Sequence, residues 1–320
     1  MQSIARKNGP SRSGADTLVY VLYKHRDCRC AKDLFACCLF PVVAFGLLLT
    51  SPTPLVAQET RVIVRADDFG MTEGNLEAIE RGMNEGVLTC ASLLVPAPWF
   101  KGAAALARRN PEWCMGVHLC LVGEWRGYSW RPVLPWDRVR SIVDDNGFFY
   151  GSPKELFSHH PKVEEMDAEL RAQIELAKKD GVNLQYLDIH YLGLEDYPGL
   201  GAAIRKIASD YDLPLSEELG EKRMSVYTTP VAEKLKMAVQ ELANMSPGLW
   251  LWVCHVGIDS PEQRALIHTA PEDIFLDGGV GANRSEELKV VTSLDVKSML
   301  LKRNVRLTNY RDVWRPMHRR

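Results

Sequence analysis

The chain has 320 residues, 46% of them hydrophobic and 25% charged, with a formal net charge of -2. That composition can bury a large core, which excludes wholesale disorder, and it offers no basic stripe interleaved with aromatics of the kind that grips a phosphate backbone, so no nucleic-acid partner is expected. Residues 1–57 hold seven Lys/Arg against three Asp/Glu, which leaves 32 against 38 beyond them, a mildly acidic balance.

The first feature in chain order is a leader. Residues 34–49 form a 16-residue apolar run behind Lys24, Arg26, Arg29 and Lys32, and Leu55-Val56-Ala57 ends on a small residue. Basic region, apolar region and cleavage site in that order predict a signal peptide over 1–57 and an exported domain over 58–320, periplasmic or extracellular. The run is shorter than the ~20 residues of a membrane span, and Pro41 and Gly46 interrupt it, so membrane association is expected only if the leader stays uncleaved. Cys28, Cys30, Cys37 and Cys38 belong to this leader. Cys90, Cys114, Cys120 and Cys254 show no C-x-x-C spacing and read as buried free thiols.

Beyond Gln58, short β-rich runs alternate with amphipathic stretches, the rhythm of βα units feeding a parallel sheet. Strands are predicted over 61–66, 89–95, 115–121, 184–190, 249–255 and 305–308. Helices are predicted over 76–85, 101–109, 164–179, 201–209, 231–243 and 294–302. Residues 122–160, rich in Gly, Pro and aromatics, read as an excursion of functional length. Six or seven such units suit a single α/β domain of the distorted (β/α) barrel type.

Ionisable residues cluster at the predicted strand ends, where α/β folds bind ligands. Asp67 and Asp68 follow the first strand. An N-cap needs only one acid, and Thr72 is also available to cap the next helix. His118 sits in an apolar strand and His190 ends one, and Asp188 shares the strand face of His190, where it could orient an imidazole from behind. One Asp and two His from separate strand ends match an open catalytic metal site. His255 ends a further strand and suits a general acid for a leaving amine. His159, His160, His268 and His318 read as solvated. Trp125, Trp130 and Trp136 in the excursion suit either stacking on sugar rings or local packing.

These fragments resemble, in order, the YdjC-like carbohydrate deacetylases, of chitooligosaccharide type. The motifs are DDFG followed by Thr72 to Asn75, Gly86 to Ser92, Pro96 to Pro98, Gly116 to Leu121, Leu187 to His190, Cys254 to Gly257 and Arg284 to Leu288. The resemblance covers about 61–312 and implies a barrel related to the polysaccharide deacetylases. It further implies one divalent metal ion, zinc or magnesium, on Asp68, His118 and His190, with Asp67 as general base and His255 as acid. Arg284 and Glu286 would lie near the sugar, although Arg and Glu at this spacing also suit a solvated helix start. The chain departs from the family pattern at Val256, where Pro is usual, at Tyr191-Leu192-Gly193, where further His are common, and at Cys120, where Asn is frequent. The expected activity is removal of N-acetyl groups from amino sugars or acetylated oligosaccharides. The alternatives are a metal- and sugar-binding relative without turnover, and an iron oxygenase with the same two-His-one-carboxylate ligands. Assembly with further copies of the chain is left open.

Overall fold

The computed structural model describes residues 59–269 and 276–318. The leader, its four cysteines and the expected cleavage site lie outside the described residues. The elements run β1 (Thr60–Phe69), α1 (Glu73–Glu85), β2 (Cys90–Leu93), α2 (Phe100–Arg109), β3 (Cys114–Leu119), α3 (Pro153–Ser158), α4 (Val163–Lys179), β4 (Leu184–Ile189) and α5 (Leu200–Asp210). They continue with β5 (Lys222–Ser225), α6 (Lys234–Asn244), β6 (Gly248–Cys254), α7 (Pro261–Ala265), α8 (Gly279–Thr292), α9 (Leu294–Lys302), β7 (Arg306–Thr308) and α10 (Tyr310–His318).

Among the described residues every pairing between these strands is parallel, in the order β4-β3-β2-β1-β6-β5, with β7 also on β1. The strand β1 is long enough to serve two neighbours on one edge. Its Arg61–Ile63 half pairs with β7 and its Arg65–Phe69 half with β2. The sheet curls toward closure through the segment before β5, whose Leu215 bridges to Leu187 of β4. Ser216 donates its N–H to Leu187 O at 2.8 Å, and Leu187 N–H reaches Pro214 O at 2.9 Å. The result is the distorted (β/α) barrel expected, and an all-parallel sheet is unlike the antiparallel barrel typical of the oxygenase alternative.

Strand alternation sorts the side chains into two layers. Val62, Val64 and Ala66 of β1 face outward into the core shared with the helices. Ile63, Cys90, Cys114, Tyr186, Leu249, Leu251 and Val253 form an inner core, closed by Tyr310 and Val313 of α10. Gly116 is required here, since a Cβ would lie 2.4 Å from the Tyr186 ring. Each inward row turns from apolar to ionisable along its strand: Ile63 to Arg65 to Asp67, Cys114 to Gly116 to His118, Tyr186 to Asp188 to His190, and Val253 to His255. That gradient puts the ionisable groups at the C-terminal mouth of the barrel, on rigid strand ends. Cys90, Cys114, Cys120 and Cys254 are free and buried, as expected. Among the described residues no helix is long and apolar enough to cross a membrane.

Candidate metal centre

Two adjacent carboxylates on an extended strand should point to opposite faces. Here the β1–β2 register shifts between Ala66 and Phe69, and Asp68 takes φ +64°. This bulge swings Asp68 inward beside Asp67, so both acids face the barrel mouth, and a left-handed non-glycine residue at such a point marks backbone held by its surroundings. The cap of α1 is Thr72, whose Oγ1 accepts from Asn75 N at 3.1 Å, which frees Asp68 from that duty.

Asp68, His118 and His190 converge, each almost wholly buried. Asp68 Oδ1 lies 3.5 Å from His118 Nε2 and 3.3 Å from His190 Nδ1. Each imidazole is tied at its far nitrogen to a buried carboxylate: His118 Nδ1 to Asp188 at 2.8 Å and His190 Nε2 to Glu124 at 2.8 Å. Those bonds fix the tautomers when the rings are neutral and aim a lone pair from each at Asp68. Asp68 Oδ1 itself is buried without a hydrogen-bond partner. Three donor atoms within 4.8 Å of one another, one of them an orphaned carboxylate oxygen, fit a divalent cation with an open position. Asp67, His118 and Asp188 form a second grouping of the same kind. There, however, Arg65 already occupies the carboxylates, with Nε 2.6 Å from Asp67 Oδ1 and Nη2 3.3 Å from Asp188 Oδ2, so the first group is the better cage.

The charges around the cage are set by its neighbours. Burial opposes ionisation of Asp67 and Asp68, but Arg65 beside the first, and Arg284 with both histidines beside the second, outweigh it and hold both carboxyls below their usual range. Arg284 Nη2 reaches Asp68 Oδ2 at 2.7 Å. With no metal bound, burial disfavours protonated imidazole, yet Asp188 and Asp67 raise His118 well above its ordinary value, and Glu124 and Asp68 push His190 up to about 9.

His255 is shifted the other way. Burial, aided by Arg284 and His118, lowers it to about 4 despite Asp68 and Asp67, so it is neutral near pH 7. Its Nδ1 is buried without a partner, and its ring lies 4.1 Å from that of Tyr227.

Asp67, Asp68, His118, Asp188, His190, His255 and Arg284 all line one cleft of about 560 Å³. Glu286 does not; its carboxylate pairs with exposed Lys289 at 2.8 Å. Its neighbour Glu287 turns inward instead, buried, and accepts from His255 N at 2.6 Å. A helix places i and i+1 about 100° apart, so the one-residue offset decides which acid meets the barrel. His268, read as solvated, is buried and lines the cleft, edge-on to Trp125 and Tyr191. Trp125 is also a lining residue, whereas Trp130 is buried with Nε1 donating to Val122 O, and Trp136 stacks on Arg140 away from the cleft. The sequence reading missed Glu124, Arg65 and Tyr227. For Arg65 there was a signal: a cation inside the apolar run of β1 must find buried carboxylates.

The family model described as YdjC-like protein matches residues 61–302. A carbohydrate deacetylase of Brevibacillus brevis is 27% identical over 265 residues, covering 79% of this chain and 99% of that one. A carbohydrate deacetylase of Enterococcus faecalis is 28% identical over 262 residues, covering 78% and 97%. The crystal structure of a protein described as a cellobiose-phosphate cleavage protein, from Enterococcus faecalis, superposes with a TM-score of 0.65 at 25% identity, covering 80% of this chain and 99% of that one.

Proposed function

Because the chain belongs to the YdjC-like family, we propose that it is a metal-dependent hydrolase that removes N-acetyl groups from amino sugars or acetylated oligosaccharides. The observation that carries the reading is the cage of Asp68, His118 and His190, with each imidazole braced from behind by a carboxylate. Imidazole and carboxylate donors suit zinc, with magnesium the second choice. A bound dication would polarise the acetyl carbonyl and make water nucleophilic near neutral pH.

The remaining chemistry belongs to the protein. Asp67, kept ionised by Arg65, takes the proton of the attacking water. His255 delivers a proton to the amine nitrogen as the C–N bond breaks. Neutral at rest, His255 is loaded with the proton that Asp67 takes from water. One proton thus passes from water to the amine and both side chains return to their starting states. Arg284 holds Asp68 in place, and Trp125, Tyr191 and His268 form an aromatic wall for a sugar ring.

Acetate release from N-acetylglucosamine oligomers, measured with and without a chelator, tests this function. Release that stops with chelator and returns with added zinc or magnesium is expected. Metal content without release from any acetylated saccharide would leave a sugar-binding relative instead. We also propose export, on the order of charged and apolar residues before Ala57. N-terminal sequencing of the protein from its native host should then begin near Gln58.

A further inference from the structure

Lys234 of α6 and Glu287 of α8 form an ion pair of 3.2 Å whose side chains are 0% and 1% exposed, and no role described above uses it. Apolar side chains of equal volume often stabilise as well as a buried pair of this kind, so stability alone is a weak reason for it. What distinguishes it is what else it holds. Lys234 Nζ donates to the carbonyl oxygens of Val226 at 2.5 Å and Tyr227 at 2.7 Å. The second oxygen of Glu287 accepts from the backbone N–H of His255 at 2.6 Å. Asn283 Nδ2 adds a bond to Tyr227 O at 3.1 Å. The loop after β5 and the end of β6 are therefore fastened to one another through a single ion pair, and the two residues so fixed are the ones whose rings meet at 4.1 Å.

We propose that Lys234 and Glu287 are positioning residues that hold His255, with Tyr227 packed on it, in the orientation from which it protonates the leaving amine. The proposal rests on the reading of His255 as proton donor. The cage residues stand on β1, β3 and the end of β4, and among the described residues no hydrogen bond or ion pair joins them to Lys234 or Glu287. Arg284, one turn before Glu287 on α8, does reach Asp68, so displacement of the whole helix would show as lost metal, whereas loss of the clamp alone would not.

The test uses Lys234→Met/Glu287→Met, which removes both charges together and so avoids stranding either, with His255→Ala as control. Three readouts are taken on the zinc-loaded protein: metal content, the imidazole ¹⁵N resonances of His118, His190 and His255, and kcat and KM on N-acetylglucosamine oligomers. The expected result is full metal content, unchanged His118 and His190 signals, a shifted or broadened His255 signal, and kcat lower by about tenfold or more with KM little changed, toward the scale of losing a general acid. An unmoved His255 signal or wild-type kcat, with His255→Ala inactive, would overturn the positioning role. Loss of metal alongside kcat would also overturn it, by making the pair a general support. Wild-type turnover in His255→Ala would instead remove the assignment of His255 on which the proposal stands. Lys234→Met/Glu287→Gln, which strands no charge and keeps an oxygen for the His255 N–H, should recover part of the kcat lost in Lys234→Met/Glu287→Met.

Discussion

Adding a divalent ion to the metal-free protein should expel close to two protons. Asp67, Asp68, Glu124 and Asp188 give the cluster four negative charges, and Arg65 and Arg284 return two. The missing two are supplied in the free site by His118, raised well above its ordinary value, and by His190 at about 9. A dication supplies the same charge, but only on neutral imidazoles, so metal and protons compete for one place. At pH 7 the cost of emptying His190 alone is about two pH units, or ~2.7 kcal/mol. If both rings are protonated, the apparent association constant should rise on the order of a hundredfold per pH unit through the neutral range, and tenfold if only one is. Calorimetric titration of zinc in buffers of differing ionisation enthalpy counts the protons directly. Affinity independent of pH between about 6 and 8, with no proton released, would refute the charge balance by showing that both rings are already neutral in the free site.

The two adjacent acids should separate by assay. Asp67→Asn should keep metal and lose about 10²-fold or more in turnover, while Asp68→Asn should lose metal affinity first and recover part of its activity in excess metal. The reverse pattern would exchange their roles. His118→Ala and His190→Ala should each be purified with little metal, since either leaves an incomplete set of ligands, and elemental analysis decides it. Stability of the metal-free protein should also follow His190. Its folded value of about 9 lies above the ordinary 6.5, so the contribution is whole below about 6.5 and disappears as pH rises through about 9, up to about 3 kcal/mol. Denaturant midpoints that do not fall between pH 6.5 and 9.5 would count against that pairing, and bound zinc should flatten the profile.

Much of this site was readable because strands carry chemistry to predictable places. Apolar runs of β1, β3, β4 and β6 end on Asp67, His118, His190 and His255, and parallel strands bring such ends to one mouth whatever the loops do. Asp67 and Asp68 were both placed in the site, but how two consecutive residues come to face the mouth together was not readable, since it depends on a bulge and a left-handed residue that no alternation pattern announces. Nor was α8: buried Asn283, Arg284 and Glu287 alternate on it with buried Val280, Leu288, Val290 and Val291, which breaks up the apolar stripe that reveals a packed helix. That same concealment explains why Glu286 was read in place of Glu287. The short β5 has Met224 as its one buried residue and passes for loop, although it leads into Tyr227. Glu124 sits in the excursion after β3, and only the return of residues 267–269, with Thr269 N donating to Glu124 O at 2.7 Å, pins it behind His190.

One dication is expected among Asp68, His118 and His190. Anomalous diffraction at the zinc edge, from crystals grown with zinc, would locate it directly. One strong peak is expected about 2.0–2.2 Å from Asp68 Oδ1, His118 Nε2 and His190 Nδ1. A peak between Asp67 and Asp188, or none in the barrel mouth, would contradict it.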